Sequence, residues 1–410
     1  MTFGYLLIAA ILFSCILADR FSGKFGMPAL ILFMAVGMIF GCDGLFKIQF
    51  DNYGVAEKVC AAALVFIMFY GGFNTKWQSA KCVAVRATIL STLGVLVTAG
   101  LTGVFCYFVL NFSYVESFLI GAVLSSTDAA SVFSILRGKH LNLRDGTASL
   151  LEIESGSNDP MSYLLTMIGI SLLGNADTGN IPLMIFMQLA LGILVGVVVA
   201  LIGIVLLTKT NFIPEGLETI FVIAIVIFSF GLAELIGGNS YLSVYLLGIL
   251  LGNSRIRNKN ILIPFFDGVT GLAQILIFFL LGLLAFPHRM PDIMVPALLI
   301  ALFLTFVARP IAVFGILLPF RCSIRQCLLV SWAGLRGAAS IVFAIMVIAG
   351  GGDISLDLFH IVFMVALLSV AFQGTLIPKV AEKLDMVDNS ADVSKTFNDY
   401  QEESAMTLMR

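Results

Sequence analysis

The chain has 410 residues, of which 60% are hydrophobic and only 12% charged, with a formal net charge of −2. A soluble domain carries roughly twice that charged fraction, so a soluble globular protein is excluded, and no block of basic residues points to nucleic acid. Apolar runs recur from end to end, which implies an all-α polytopic membrane protein, since lipid leaves backbone groups no partner outside a helix.

In chain order, thirteen runs are long enough to span with some tilt, at about 2–18, 28–41, 54–73, 83–110, 115–136, 150–174, 181–207, 217–236, 240–253, 261–286, 293–318, 326–349 and 356–377. The first lacks a basic n-region and a small-residue cleavage site, so it reads as a retained helix and not a signal peptide. Arg20, Lys24, Lys76, Lys81, Arg86, Arg137, Lys139, Arg144, Lys209, Arg255, Arg257, Lys259, Arg321, Arg325, Lys379 and Lys383 fall on one side. Lys47, Lys58 and Arg289 fall on the other. That bias puts the N-terminus outside and the C-terminus in the cytoplasm, for a protein of the inner cell membrane.

The seven cysteines are scattered without ligand spacing and read as free thiols. His140, His288 and His360 lie far apart, read as loop residues, and suggest no metal site. No cofactor is implied. From about Ala381 the chain turns polar, with Glu382, Lys383, Asp385, Asp388, Asp392 and the run starting at Gln401, and is expected to be an exposed tail over 381–410.

The spans divide into two sets of six, about 1–174 and 217–377, joined by a linking helix at 181–207. An odd linking helix makes the second set enter from the opposite side, as inverted repeats require. The fifth span of the first set carries Ser125-Ser-Thr-Asp-Ala-Ala-Ser131, and the fifth of the second carries Gly334-Leu-Arg-Gly-Ala-Ala-Ser340. Each is a small, polar interruption, tolerable at membrane depth only where freed backbone lines a cavity or faces protein. Broken there, the helices would meet with positive N-termini and negative C-termini, which Asp128 and Arg336 have the signs to compensate.

The sixth span reads Leu151-Glu-Ile-Glu-Ser-Gly-Ser-Asn-Asp-Pro160. Asp159 lies roughly ten residues from the basic edge, which at about 1.5 Å per residue is near the middle of a ~30 Å slab. A carboxylate there is a functional site by default. Ser155 shares its helical face, Glu154 and Asn158 share the next, and Thr127 and Asp128 on the broken fifth span complete an oxygen-lined set. Carboxylate, hydroxyl and carbonyl oxygens suit a dehydrated monovalent cation, and the same acid can take a proton instead. Competition for one site yields coupled exchange when the empty, charged site cannot cross. Arg309 and Arg336 also lie within spans; Glu154 is the expected partner of Arg309, and Arg336 is expected to balance the broken-helix region.

Thr127-Asp128, Glu154 through Pro160, and Gly334-Leu-Arg-Gly-Ala-Ala339 resemble the monovalent cation:proton antiporters of the NhaP type. The likeness covers 1–380 and is strongest to the bacterial potassium/proton antiporters called cell volume regulation protein A. It implies a thirteen-helix fold with a dimerisation domain and a mobile core. It implies that Asp159 binds cation and proton alternately, that Thr127, Asp128 and Ser155 help form the site, and that Asn158 with Arg309 marks an electroneutral member. Two features depart from the pattern. Many relatives have an acid in the third span where Tyr70 stands, which leaves Asp128 or a helix C-terminus to balance Arg336. The potassium subfamily also commonly has a soluble cytoplasmic domain after the last helix, and none follows here.

The expectation is therefore a homodimeric, non-enzymatic antiporter in membrane lipid, exchanging K⁺ or Na⁺ for H⁺ one for one by elevator-type movement. An ion channel would lack obligatory proton coupling. A sodium-coupled symporter of an organic anion would need a roomier, less acidic pocket. An intramembrane aspartyl protease built on Asp128 and Asp159 is disfavoured by Asn158 and the nearby arginines.

Overall fold

A computed structural model describes residues 2–25, 28–138, 141–174, 180–208, 213–214, 216–256, 258–350 and 355–388. Lys139, His140, Lys209, Arg257, Asp392 and the run from Gln401 lie outside the described residues. Helices α1 (Thr2–Phe25), α2 (Ala29–Phe40), α3 (Tyr53–Asn74) and α4 (Ala84–Val109) are followed by the interrupted pair α5 (Tyr114–Leu124) and α6 (Ala129–Gly138). Next come α7 (Thr147–Leu173), α8 (Ile181–Thr208), α9 (Glu218–Leu235), α10 (Ser240–Gly252) and α11 (Lys259–Leu284). The chain continues through α12 (Pro287–Leu317), a second interrupted pair, α13 (Ile324–Trp332) and α14 (Ala338–Ala349), and α15 (Leu358–Lys383).

Eight of these helices are long and apolar enough to cross a membrane, and α2, α5, α10 and α14 are shorter apolar helices. Helix α7 is as long as the spanning set but carries Glu152, Glu154 and Asp159. Among the described residues β-pairing is confined to the single bridge Leu143–Val387.

Helix starts are fixed by short polar side chains that occupy orphan N–H groups. Asn52 accepts from the Val55 amide at 3.0 Å, Asn239 from Leu242 at 3.0 Å, and Ser323 from Gln326 at 3.1 Å. Ser113 and Glu116 form a reciprocal capping box at α5. Small residues set the closest packing, as expected where no hydrophobic effect separates helix from lipid. A methyl group on Gly37 or Gly282 would fall inside the backbone of the partner helix, so α2 and α11 touch main chain to main chain.

Three helices contain wider π-type turns, at Leu90–Gly94 in α4, Leu304–Ala308 in α12 and Ser369–Gly374 in α15. Such turns mark functional sites disproportionately, and the second and third flank the two buried arginines described below.

The expectation of an exposed tail from Ala381 is corrected for its first residues. Ala381 and Met386 are buried, the Arg144 amide donates to the Met386 carbonyl at 2.9 Å, and Asp385 pairs with Arg144 and Arg325 at 3.1 and 3.2 Å. Composition marked these residues as solvated, whereas two basic side chains and a backbone bridge dock them onto the α6–α7 connection.

Candidate cation site

The two interruptions lie against one another. The Asp128 amide donates to the Leu335 carbonyl at 2.8 Å, and the Arg336 guanidinium donates to the carbonyls of Ser125 and Ser126 at 3.1 and 2.7 Å. Arg336 is 2% exposed and thus places its charge on the C-terminal carbonyls of α5, the negative end of that helix. Asp128 accepts from the Ser131 amide at 3.2 Å and from the Ser131 hydroxyl, sitting at the positive N-terminus of α6. Each break is thereby closed by a charge of the opposite sign. The helix C-terminus, one of the two balances expected for Arg336, is thus supplied by α5. The Arg336 amide donates to Ser369 Oγ at 3.1 Å, and that hydroxyl donates to Gln373 Oε1 at 2.6 Å, both inside the π-type turn of α15.

Glu154 and Arg309 form a bidentate pair, with Nη1 to Oε1 at 2.8 Å and Nη2 to Oε2 at 3.0 Å. They are 1% and 3% exposed, so Arg309 does not reach for the membrane surface. Two parallel N–H···O bonds are the geometry in which a buried pair offsets its desolvation. Asn158 Nδ2 donates to Thr127 Oγ1 at 2.5 Å and to Glu154 Oε1 at 3.2 Å. Thr127 Oγ1 lies 3.4–3.5 Å from the Glu154 carboxylate. The hydroxyl of Thr127 and the amide of Asn158 thus belong to the Glu154–Arg309 network and not to the Asp159 carboxylate.

Asp159 is 5% exposed. Its Oδ1 accepts from the hydroxyl of Ser126. The Ser155 hydroxyl, expected one turn below Asp159, donates to the Thr127 carbonyl at 2.7 Å, tying α7 to the break instead. The expected hydroxyl, Thr127, thus turns to Glu154, Ser125 donates to the Ala122 carbonyl at 2.6 Å, and it is Ser126 that reaches Asp159.

Asp159, Ser155, Thr127 and Asp128 line one cavity of about 370 Å³, walled by α3, α6, α7, α11 and the start of α14. It extends past Glu152 to Asn74, towards the end of the bundle that carries Lys76, Arg144 and Lys259. On the wall facing Asp159 stands Asp267, whose carboxylate accepts from the Tyr70 hydroxyl at 2.9 Å. Asp267 carries no signal in the sequence, because a lone acid eight residues beyond Lys259 does not say which neighbour its face of α11 turns to. Asn239 is a further missed residue, since its Nδ2 donates to the Pro160 carbonyl at 2.8 Å and pins the Asp159 helix to α10. Among the described residues no cluster of three or more His, Cys, Asp or Glu side chains could hold a metal ion in the manner of a metalloenzyme.

With this geometry in place, comparison with known proteins is informative. The family profile described as sodium/hydrogen exchanger, transmembrane, matches residues 8–383. The chain belongs to the sodium/hydrogen exchanger family. This exchanger-family chain is 37% identical over 404 residues to the K(+)/H(+) antiporter NhaP2 of Shewanella sp. strain MR-4, covering 96% of this chain and 69% of that protein. It is 36% identical to the K(+)/H(+) antiporter NhaP of Alkalimonas amylolytica, covering 93% and 67%. The Na(+)/H(+) antiporter 1 of Methanocaldococcus jannaschii is 28% identical over 85% of this chain and 83% of its own length. The solved structure of the sodium proton antiporter MjNhaP1 from the same organism at pH 8 superposes with a TM-score of 0.81 at 24% identity, covering 93% of this chain and 99% of that one. That likeness establishes the shared fold of the family.

Proposed function

We propose that the protein is a secondary active antiporter that exchanges a monovalent cation for H⁺, with K⁺ favoured and Na⁺ possible as substrate. The observation that carries this reading is Asp159. It is a buried carboxylate lining the cavity, held by the neutral hydroxyl of Ser126, and among the described residues no basic side chain is bonded to it. A cation loses hydration in such a place only against a full negative charge, and a proton removes that charge. The two ligands therefore exclude each other, with Asp159 and Ser126 nearest the bound ion and Ser155, Thr127 and Asp128 shaping its surroundings.

Stoichiometry follows from charge. Glu154 and Arg309 neutralise one another, Asn158 is uncharged, and Asp128 and Asp267 accept from Ser131 and Tyr70; in this reading Asp159 is the group that changes state per cycle, which makes exchange one for one and electroneutral. The preference for K⁺ rests on the two relatives above that are named as K(+)/H(+) antiporters.

In this reading the helices make thirteen crossings arranged as two inverted sets, within a domain over 1–380. The cavity faces the cytoplasm, the N-terminus lies outside, and the chain works as a homodimer in the inner membrane. The helices bearing the two breaks move as a body against a scaffold containing α3, α10 and α11. An organic-anion symporter is disfavoured by the four carboxylates, Asp128, Glu152, Asp159 and Asp267, that line the cavity.

The test is pH-gradient dequenching in proteoliposomes with K⁺, Na⁺ or Li⁺, with the membrane potential clamped or free. Cation-driven proton movement at the same rate in both regimes is expected. A rate that follows the potential would overturn electroneutrality, and currents without proton coupling would favour a channel.

A further inference from the structure

At the end of the bundle away from the cavity, a short linker, Ala285–Phe286 together with the turn Pro287–Arg289 that opens α12, joins α11, a cavity wall, to the part of α12 that carries Arg309. The linker is pinned from two sides. The Phe286 amide donates to His360 Nε2 on α15 at 3.0 Å, and the His288 amide donates to Asp43, beyond the end of α2, at 3.2 Å. His360 is 1% exposed, which corrects the expectation that it is an ordinary loop residue.

An imidazole nitrogen that accepts from an amide carries no proton. Nε2 is therefore the bare nitrogen, and Nδ1 holds the hydrogen and donates it to Asp357 Oδ1 at 2.6 Å. The Phe286 ring packs on the same imidazole, with centroids 5.5 Å apart, and Arg289 lies over the Phe286 ring at 5.4 Å. Protonation of Nε2 would set one donor against another and break the contact, with no other acceptor on the imidazole to replace it.

We infer that His360 is a proton-operated clamp on the α11–α12 linker: neutral imidazole holds the Phe286 amide to α15, and protonation releases that amide. Imidazole is the side chain whose charge ordinarily changes between pH 5 and 8. Among the described residues, charged and titratable groups face this end of the bundle from several elements. They are Asp357 on its own helix, Arg289 and His288 on the linker, Asp43 with Cys42 after α2, Asp51 and Tyr53 at the start of α3, and Glu116 on α5.

The acids nearest the linker do not titrate in that window. Burial tends to raise the Asp357 carboxyl, but the His360 ring and backbone N–H groups and Arg289 outweigh it and hold it below the ordinary carboxylate range. The His288 ring and amide do the same for Asp43. Both acids stay ionised, and their contribution to the linker is lost only as pH falls through those lowered values. Arg289 still reaches Asp357 at 3.9 Å and the His288 amide still donates to Asp43, so acid removes only the tie between the Phe286 amide and α15. If α12 and α15 travel with the break-bearing helices proposed above to move against the scaffold, that release speeds exchange.

Hydrogen–deuterium exchange of the full-length protein, read on the 285–290 segment from pH 8 to pH 5 and corrected for intrinsic base catalysis, tests the clamp. Loss of one amide hydrogen bond should lower protection of the Phe286 amide about five-fold towards acid. His360→Gln keeps an acceptor that does not titrate, and should show wild-type protection at high pH with no acid step. Asp357→Asn leaves the imidazole free to change tautomer and should lower protection at every pH. Flat wild-type protection, or an acid step that survives in His360→Gln, would overturn the clamp.

The effect on rate rests on the antiport reading. The wild-type to His360→Gln exchange ratio should be near one at alkaline outer pH and rise as that face is acidified, and a flat ratio would overturn it. No cation-driven exchange in wild type would overturn antiport itself and leave the amide result standing.

Discussion

Glu154 and Arg309 show how a membrane interior makes single residues legible. Two charges within apolar runs had to find each other, and they meet in a bidentate pair. Glu154→Ala leaves the guanidinium buried without its carboxylate, and the expected loss of stability is about 3–5 kcal/mol. The measurement is thermal unfolding of the detergent-solubilised protein, where Glu154→Gln should lose less because one acceptor oxygen survives. Ser126 was not legible, because a run of Ser125, Ser126 and Thr127 says nothing about which hydroxyl turns to Asp159. Its removal as Ser126→Ala should raise the apparent KM for the cation by about ten-fold or more, the effect of losing one hydrogen bond to a charged group. The maximal rate should change less, and an unchanged KM would take Ser126 out of the site.

At the scale of elements, the crossing of the two breaks is a packing fact as much as an electrostatic one. Gly337 lies so close to Asp128 that a methyl group there would fall on the Asp128 side chain. Gly337→Ala is expected to destabilise the protein by about 1–3 kcal/mol, as overpacking does, and to impair exchange more than a matched change at the exposed Gly315, where a methyl meets nothing within 4 Å. Equal effects at the two positions would contradict the crossing. The breaks themselves could be read in advance, because a charge among small residues in mid-span has few other uses. Their bonding could not, since it is the carbonyls of Ser125 and Ser126 that receive Arg336, and backbone carbonyls leave no mark in a sequence. The docked residues Ala381–Asp388 were missed for a related reason: their polarity is spent on Arg144 and Arg325 and not on water.

Over the whole molecule, Glu154, Asp159, Arg309 and Arg336, the most buried of the charged side chains described, lie at the two breaks or on α7 and α12 beside them, and one cavity leads to Asp159. The helical membrane class followed from composition alone, whereas the identity of the cavity wall depended on which face α11 turns towards α7, and Asp267 was overlooked for that reason. The proposed inventory of charge leaves Asp159 as the group on which cation and proton compete. Wild type and Asp159→Asn reconstituted side by side, with proton movement driven by a K⁺ or Na⁺ gradient, test that most directly. Exchange in wild type and none in Asp159→Asn, with both proteins folded and inserted, is the predicted result; cation-driven proton movement that persists in Asp159→Asn would contradict it.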